Sequence, residues 1–198
     1  MDTLIYDVET SRNVEEVKGG WNNPFGMGLA SCVIYSLEKD RYYFFLHPKS
    51  REKVIKMLDG NRVVTHNGLM FDSKVVLGND RLLAVSESKL SVLVSDSNIV
   101  WTEFDTLNQC VRRYAKVDPI EATNKRYFRS GLGLKLDDIA GATLGIHKSG
   151  DGELAPTLYK EKRYDELLEY NLQDVRVTRR VFCLLYTSPS PRDLSTSR

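Results

Sequence analysis

The chain has few of the residues that stabilise small secreted domains or cross membranes. It carries three cysteines in 198 residues, Cys32, Cys110 and Cys183, and no two of them form a C-x-x-C pair. This spacing predicts neither a disulfide framework nor a zinc site, and it favours a reducing compartment. No apolar run approaches the roughly 18 residues of a membrane span, and no charged segment followed by an apolar one opens the chain. We therefore expect a cytoplasmic protein without membrane contact.

The chain also lacks an excess of charge of one sign. Lysine and arginine number 28 against 27 acidic residues, which gives a formal net charge of +1. Proteins that coat nucleic acid without sequence preference usually carry a large positive charge. Any polyanionic substrate must therefore be bound by a local set of groups.

The spacing of apolar residues predicts a single α/β domain. "TLIYDVET" has the pattern of a strand, and "MGLASCVIYSLEKDRYYFFLHP" predicts two more strands in an antiparallel meander. Further on, helical and strand patterns alternate, ending in a long helix from about Lys160 to Leu185. The serine-rich segment from Asn79 to Asn98 has no clear period, and a helix with a loop is one interpretation. We predict a mixed central sheet, with the meander followed by parallel strands, flanked by helices.

Residues 183–198 differ in composition from the rest of the chain. "CLLYTSPSPRDLSTSR" is rich in serine, threonine and proline, which is typical of disorder. It also resembles translated sequencing-adapter sequence. We therefore predict one domain over residues 1–182 and a disordered, non-native tail over residues 183–198.

Four carboxylates and a tyrosine are candidate functional groups. Asp7 and Glu9 stand at i and i+2 of the first strand, so both leave the same face of the sheet. Adjacent carboxylates repel, and a bound cation is the usual reason to bury them, although a D-x-E triplet is common by chance. Asp72 follows an H-N-G turn, where capping a helix would explain it. Tyr170 and Asp174 share one helical face, which an ordinary amphipathic helix would also produce.

Together these motifs resemble those of the DEDD 3′–5′ exonucleases of the ribonuclease-H-like superfamily. Their order, their spacing and the element predicted under each agree with that family. Position 169, five before Asp174, is glutamate rather than histidine, and Tyr170 stands four before it, as in the tyrosine (DEDDy) branch. "GGWNNPFGMGLASCVIYS", "LKLDDIAGATLG" and "HKSGDGELAP" are similar to stand-alone YprB-like ribonuclease-H-like domains, over about Leu4 to Phe182.

The resemblance implies two-metal hydrolysis of phosphodiester bonds at a single-stranded 3′ end, releasing nucleoside 5′-monophosphates. Asp7 would bridge both ions, Glu9 and Asp174 would complete one site, and Asp72 would hold the second ion. Tyr170 would orient the attacking water. Hard oxygen ligands of this kind select Mg²⁺ or Mn²⁺.

Four further residues are candidate substrate ligands: Thr10, His66, Asn67 and Trp21. His66 and Asn67 either fix the turn before the following aspartate or contact the terminal sugar. Trp21, with Phe25 in the same loop, could stack a terminal base or simply pack against the protein.

Several alternatives remain open from the sequence. Asp105 in "EFDTL" competes with Asp72 as a ligand, although we expect it to cap the following helix. The fold would also suit an endonuclease, a structure-specific ribonuclease or a non-catalytic nucleic-acid-binding module. Nothing in the sequence distinguishes DNA from RNA, and a helicase or polymerase could be a partner.

Overall fold

A computed structural model describes residues 1–85, 91–115, 134–147 and 154–187. Within these ranges seven strands form one sheet. They are β1 (Thr3–Thr10), β2 (Leu29–Ser36), β3 (Arg41–Leu46), β4 (Arg62–Thr65), β5 (Leu82–Val85), β6 (Val92–Asp96) and β7 (Ile99–Asp105). Their spatial order is β3-β2-β1-β4-β7-β6-β5.

Helices cover both faces of this sheet. The described α-helices are α1 (Pro24–Met27), α2 (Arg51–Leu58), α3 (Asp72–Leu77), α4 (Thr106–Ala115), α5 (Leu136–Leu144), α6 (Leu154–Lys160) and α7 (Tyr164–Thr187). Short 3₁₀ turns lie at Val14–Glu16, Gly20–Asn22 and Pro48–Ser50. A search of the described helices finds none with the length and apolar character to cross a bilayer.

Strand pairing confirms the predicted class. β1, β2 and β3 form an antiparallel meander, and β4 pairs in parallel with both β1 and β7. The protein is therefore an α/β protein with a mixed sheet flanked by helices, and its topology is consistent with a ribonuclease-H-like fold.

The alternation of β1 divides the interior into two layers. Tyr6 and Val8 face a core shared with α2 and α3, whereas Ile5 packs on the opposite face beside Leu172 and Val175 of α7. Burying a large aliphatic side chain contributes about 1.5–3 kcal/mol, so these contacts fix α7 against the strand. The face toward α7 is also the face from which the odd-numbered side chains of β1 project.

The interpretation of the segment between residues 79 and 98 as a helix with a loop is wrong. The segment forms β5 and β6, an antiparallel pair that extends the sheet beyond β7. Val92 and Val94 are buried while Leu93 is exposed, which is the alternation of a strand with one covered face. The turn from β6 to β7 places Ser97 at a φ of 53°, although Asn-Gly or Asp-Gly is the usual sequence there.

The C-terminal region contains two helices where one was predicted. Lys160 ends α6, and α7 begins at Tyr164 after a turn in which Lys162 has a φ of 60°. α7 continues past the predicted domain boundary to Thr187. Outside the described residues lie "DPIEATNKRYFRSGLG" over 118–133, which has the composition of a polar loop, most of "HKSGDGE", and residues 188–198. The division into domain and tail therefore stays a prediction.

Candidate metal centre

Three carboxylates meet where β1 passes under α7. Asp7 and Glu9 come from β1 and Asp174 from α7, and one ligand oxygen from each lies within 4.8 Å of the other two. Glu9 and Asp174 are buried and Asp7 is half-buried. Such a cluster in a dry setting is strongly unfavourable unless a cation or protons reduce its charge. The all-oxygen donor set fits a hard divalent ion such as Mg²⁺ or Mn²⁺.

The buried stripe of α7 brings Asp174 to this point. Leu172 and Val175, on either side of it in sequence, pack against the sheet and hold the helix in register. Tyr170 lies about one turn earlier, with its ring buried in a cluster that includes Ala155 and Leu158 of α6. Tyr170 and Asp174 are therefore both buried residues of one helix, as the spacing predicts.

Asp72 reaches the same end of β1 from the other face. It is the first residue of α3 and only 4% exposed, and its Oδ1 accepts a hydrogen bond from the Val8 amide at 2.9 Å. β4 pairs with β1 only as far as Ile5. Beyond Ile5, the edge of β1 that faces β4 can therefore donate to a side chain, and the Val8 amide donates to Asp72. Burial raises the pKa of Asp72 to about 8 against the opposing effect of the Val8 amide, and the nearby Glu103 charge adds to the increase. Asp72 is thus adjacent to the two carboxylates of β1 but outside the group of three.

Asp105 organises the turn that leads to Asp72. Its Oδ1 accepts hydrogen bonds from the backbone amides of Asn67, Leu107 and Asn108 at 2.9, 3.0 and 3.1 Å. Its Oδ2 accepts from the Leu69 amide at 3.1 Å. The predicted cap of α4 is confirmed, and the same carboxylate also ties down the turn after β4. These four donors make Asp105 a structural residue rather than a rival ligand.

His66 and Asn67 have different surroundings within that turn. The ring nitrogens of His66 lie 2.8 Å from Thr106 Oγ1 and 3.2 Å from the Leu134 carbonyl, which favours the structural role for this histidine. Asn67 adopts a φ of 69°, and among the described residues its buried Oδ1 has no hydrogen-bond partner. Asn67 is thus the better of the two as a substrate contact.

Trp21 lies on the surface rather than in the core. Its side chain is 70% exposed, and its ring centroid is 6.1 Å from that of Phe71, at an interplanar angle of 54°. Phe25 is 42% exposed and carries the Arg51 guanidinium 4.6 Å above its ring. Thr10 is buried, and its hydroxyl donates to the backbone carbonyl two residues ahead at 3.2 Å. Trp21 therefore remains able to stack a base, whereas Thr10 has a local structural contact.

The sequence did not identify Asn171 as part of the site. This fully buried residue of α7 donates a hydrogen bond from Nδ2 to Asp7 Oδ2 at 2.7 Å. The available signal was an amide four residues after Leu167 and four before Val175, both buried, at a position where an apolar side chain is expected.

Comparison with known proteins does not assign the chain to a family. The chain matches no protein-family model and no curated protein. Among solved structures it is similar to phi29 DNA polymerase, in a ternary complex with primer-template DNA and incoming nucleotide substrates, with a TM-score of 0.42 and 12% identity. The match covers 100% of this chain but 32% of the polymerase chain. The function must accordingly be argued from the site itself.

Proposed function

We propose that this protein is a 3′–5′ exonuclease that hydrolyses single-stranded DNA or RNA to nucleoside 5′-monophosphates with two divalent cations. The observation that carries the proposal is the approach of Asp7, Glu9 and Asp174 to within 4.8 Å of one another. Asp7 and Glu9 lie near the start of the chain and Asp174 lies near its end, so the fold brings the three together. A divalent cation is the simplest partner for such a group.

Four carboxylates would supply the protein ligands of the two ions. Asp7, Glu9 and Asp174 would hold one cation, and Asp72 would join Asp7 at the second. Asp72 would act in its ionised form, which a neighbouring cation favours because it offsets the cost of burying the charge. When bound, a pair of Mg²⁺ or Mn²⁺ ions supplies stabilisation for the attacking and leaving oxygens of the phosphodiester.

Other side chains of the chain would position the reactants. Tyr170, about one turn from Asp174, would hold the attacking water by its hydroxyl. Asn67, in the turn before Asp72, would contact the terminal sugar. The exposed ring of Trp21 would stack a base, a contact worth about 1–3 kcal/mol that tolerates any sequence. This local binding suits a chain whose net charge is only +1.

The proposed setting is the cytoplasm, with a 3′ end as substrate and with a helicase or polymerase as a possible partner. The choice between DNA and RNA is left to experiment.

The test is digestion of 5′-labelled single-stranded DNA and RNA with Mg²⁺, Mn²⁺ or EDTA. We expect a ladder that shortens from the 3′ end, release of 5′-mononucleotides, and no activity in EDTA. A 3′-blocked strand and a circular strand should both resist. Asp174→Asn should remove the activity, whereas Asp165→Asn, an exposed aspartate in the first turn of the same helix, should retain it.

The same assay separates the alternatives. Cleavage of the circular strand would replace the exonuclease with an endonuclease. Retention of labelled strands in a binding assay, without cleavage in either metal, would indicate a non-catalytic nucleic-acid-binding module.

A further inference from the structure

Asn171 occupies the contact between α7 and the first two strands. Its side chain has no exposed surface, and both ends of its amide are hydrogen-bonded. Nδ2 donates to Asp7 Oδ2 at 2.7 Å, and Oδ1 accepts from Ser31 Oγ at 3.3 Å. Buried amides are generally satisfied in this way, and this one donates to a carboxylate that also belongs to the acidic cluster.

The register of the strands explains how one amide reaches both partners. In the antiparallel β1–β2 pair, Ser31 stands opposite Glu9, and Val33 stands opposite Asp7. Opposed residues project from the same face of a sheet, so the Ser31 hydroxyl lies beside the carboxylates of β1. Asn171 therefore links α7 to β1 at Asp7 and to β2 at Ser31.

The type of side chain suits a ligand-orienting role. An ionised carboxylate only accepts hydrogen bonds, so the amide must direct its NH₂ group toward Asp7, and a charge-assisted bond of 2.7 Å is at the strong end of its class. This bond engages Oδ2 and so restricts the rotation of the carboxylate. A lysine or arginine could donate the same bond, but its positive charge would oppose a cation in the cluster. Asparagine orients the carboxylate and adds no charge.

We propose that Asn171 is a positioning residue that fixes the rotamer of Asp7 for cation binding, and that Ser31 orients the amide by donating a hydrogen bond to its Oδ1. The proposal rests on the proposed metal site, and it concerns binding of the ion rather than the chemical step. Partners that orient a metal ligand typically account for 10–100-fold in metal affinity or activity.

The test is titration of the full chain with Mn²⁺ by calorimetry, together with thermal unfolding without metal. We expect Asn171→Ala to weaken Mn²⁺ binding by about 10–100-fold, and Ser31→Ala to weaken it less. Asn171→Leu fills the space that alanine leaves, so it provides a folded variant if the cavity unfolds the first one. Thr178→Val is the matched control, because Thr178 is another buried polar residue of α7, whose Oγ1 has no hydrogen-bond partner among the described residues.

Metal dependence of cleavage provides the second measurement. A positioning role predicts that the midpoint of Mn²⁺ activation moves to higher concentration in Asn171→Ala, while the rate at saturating metal recovers toward wild type. A purely structural role predicts a lower melting temperature with an unchanged midpoint. Wild-type Mn²⁺ affinity in both Asn171 variants would overturn the proposal. Weakened Mn²⁺ binding with no cleavage by the wild-type protein would support it and refute the exonuclease instead.

Discussion

Two groups of three acidic residues lie near the same end of the sheet, and their surroundings differ. The clustered group is Asp7, Glu9 and Asp174. The enclosed group is Asp72, Glu103 and Asp105, all buried. In the clustered group one carboxylate oxygen of each residue lies within 4.8 Å of the other two, and Asp7 also accepts a hydrogen bond from Asn171. In the enclosed group each carboxylate accepts hydrogen bonds from backbone amides or side-chain donors.

The comparison shows that burial alone does not identify a ligand. Glu103 accepts from the Trp101 indole at 2.9 Å and from the Thr65 hydroxyl at 2.8 Å, and burial raises its pKa to about 7. A raised pKa is often a sign of a functional site, but here it accompanies an internal network away from the cluster. Mutual approach of carboxylates is the more informative observation. Asp72 has features of both groups, since it is enclosed by protein donors yet bonded to the backbone between Asp7 and Glu9.

The largest effect should follow from removing charge from the clustered group. Asp7→Asn keeps an oxygen that can accept the Asn171 hydrogen bond but loses the charge that binds cations. We expect hydrolysis to fall by at least about 10³-fold, which corresponds to roughly 4 kcal/mol of transition-state stabilisation. The measurement is metal-dependent release of mononucleotide by both proteins.

Thermal unfolding provides the control for that variant. Mn²⁺ should raise the melting temperature of the wild-type protein and not that of Asp7→Asn, because only a bound ligand stabilises the folded state. Wild-type hydrolysis in the variant would remove the clustered group from the mechanism.

The clustered group was predicted from the resemblance of its motifs to those of a known family, whereas regular periods account only for the pairs within each element. Asp7 and Glu9 obey the period of two of a strand, and Asp174 obeys the helical spacing from Tyr170. Strands β5 and β6 were not predictable in this way, because both are short and the turn from β6 to β7 at Ser97 lacks glycine.

Some tertiary contacts could not be predicted from the sequence, for a different reason. The bonds from Asn171 to Asp7 and from Asp105 to the turn at Asn67 join residues far apart in the chain, so no local period reports them. The cap that Asp105 forms on α4 was predictable, because capping is a local interaction.

The next largest effect should appear in the enclosed group, as a loss of stability. Asp105→Ala leaves four backbone amides without their acceptor. Three of these amides belong to buried residues, Leu69, Leu107 and Asn108. We expect the free energy of unfolding to fall by about 3–5 kcal/mol, since each unsatisfied buried donor is costly. Urea unfolding measures it, with the exposed Asp138→Ala as the control. A loss no larger than that of the control would mean that Asp105 is not structural.

A smaller effect, confined to catalysis, should follow from Tyr170→Phe. The change retains the ring that packs with Ala155 and Leu158 and removes the hydroxyl proposed to hold water. Turnover should fall by about 10²-fold, while Mn²⁺ affinity stays at the wild-type value. Single-turnover cleavage across a Mn²⁺ titration distinguishes this from Asp174→Asn, which should lower both. Unchanged turnover would show that Asp174 acts without help from Tyr170.

The smallest effect concerns the pH dependence of stability, and it isolates one member of the enclosed group. Burial holds the pKa of Glu103 at about 7, above its ordinary value of 4.5, so the folded protein keeps a proton that the unfolded chain releases. The folded state therefore loses stability as the pH rises from about 4.5 to 7, because the proton that only the folded state retains is then lost.

Glu103→Gln should remove that contribution. Its amide oxygen can accept from Trp101, and its NH₂ group can donate to the Thr65 hydroxyl, so both contacts persist in altered form. Near pH 4.5 the two proteins should have similar free energies of unfolding, whereas at pH 8 the variant should be the more stable. Urea unfolding from pH 4.5 to 8 measures the difference, with the exposed Glu52→Gln as the control. If the free energies of unfolding of wild type and Glu103→Gln changed with pH in parallel, Glu103 would be ionised over the whole range. Glu103 would then be a buried charged carboxylate, as proposed for the clustered group, despite its hydrogen bonds to Trp101 and Thr65.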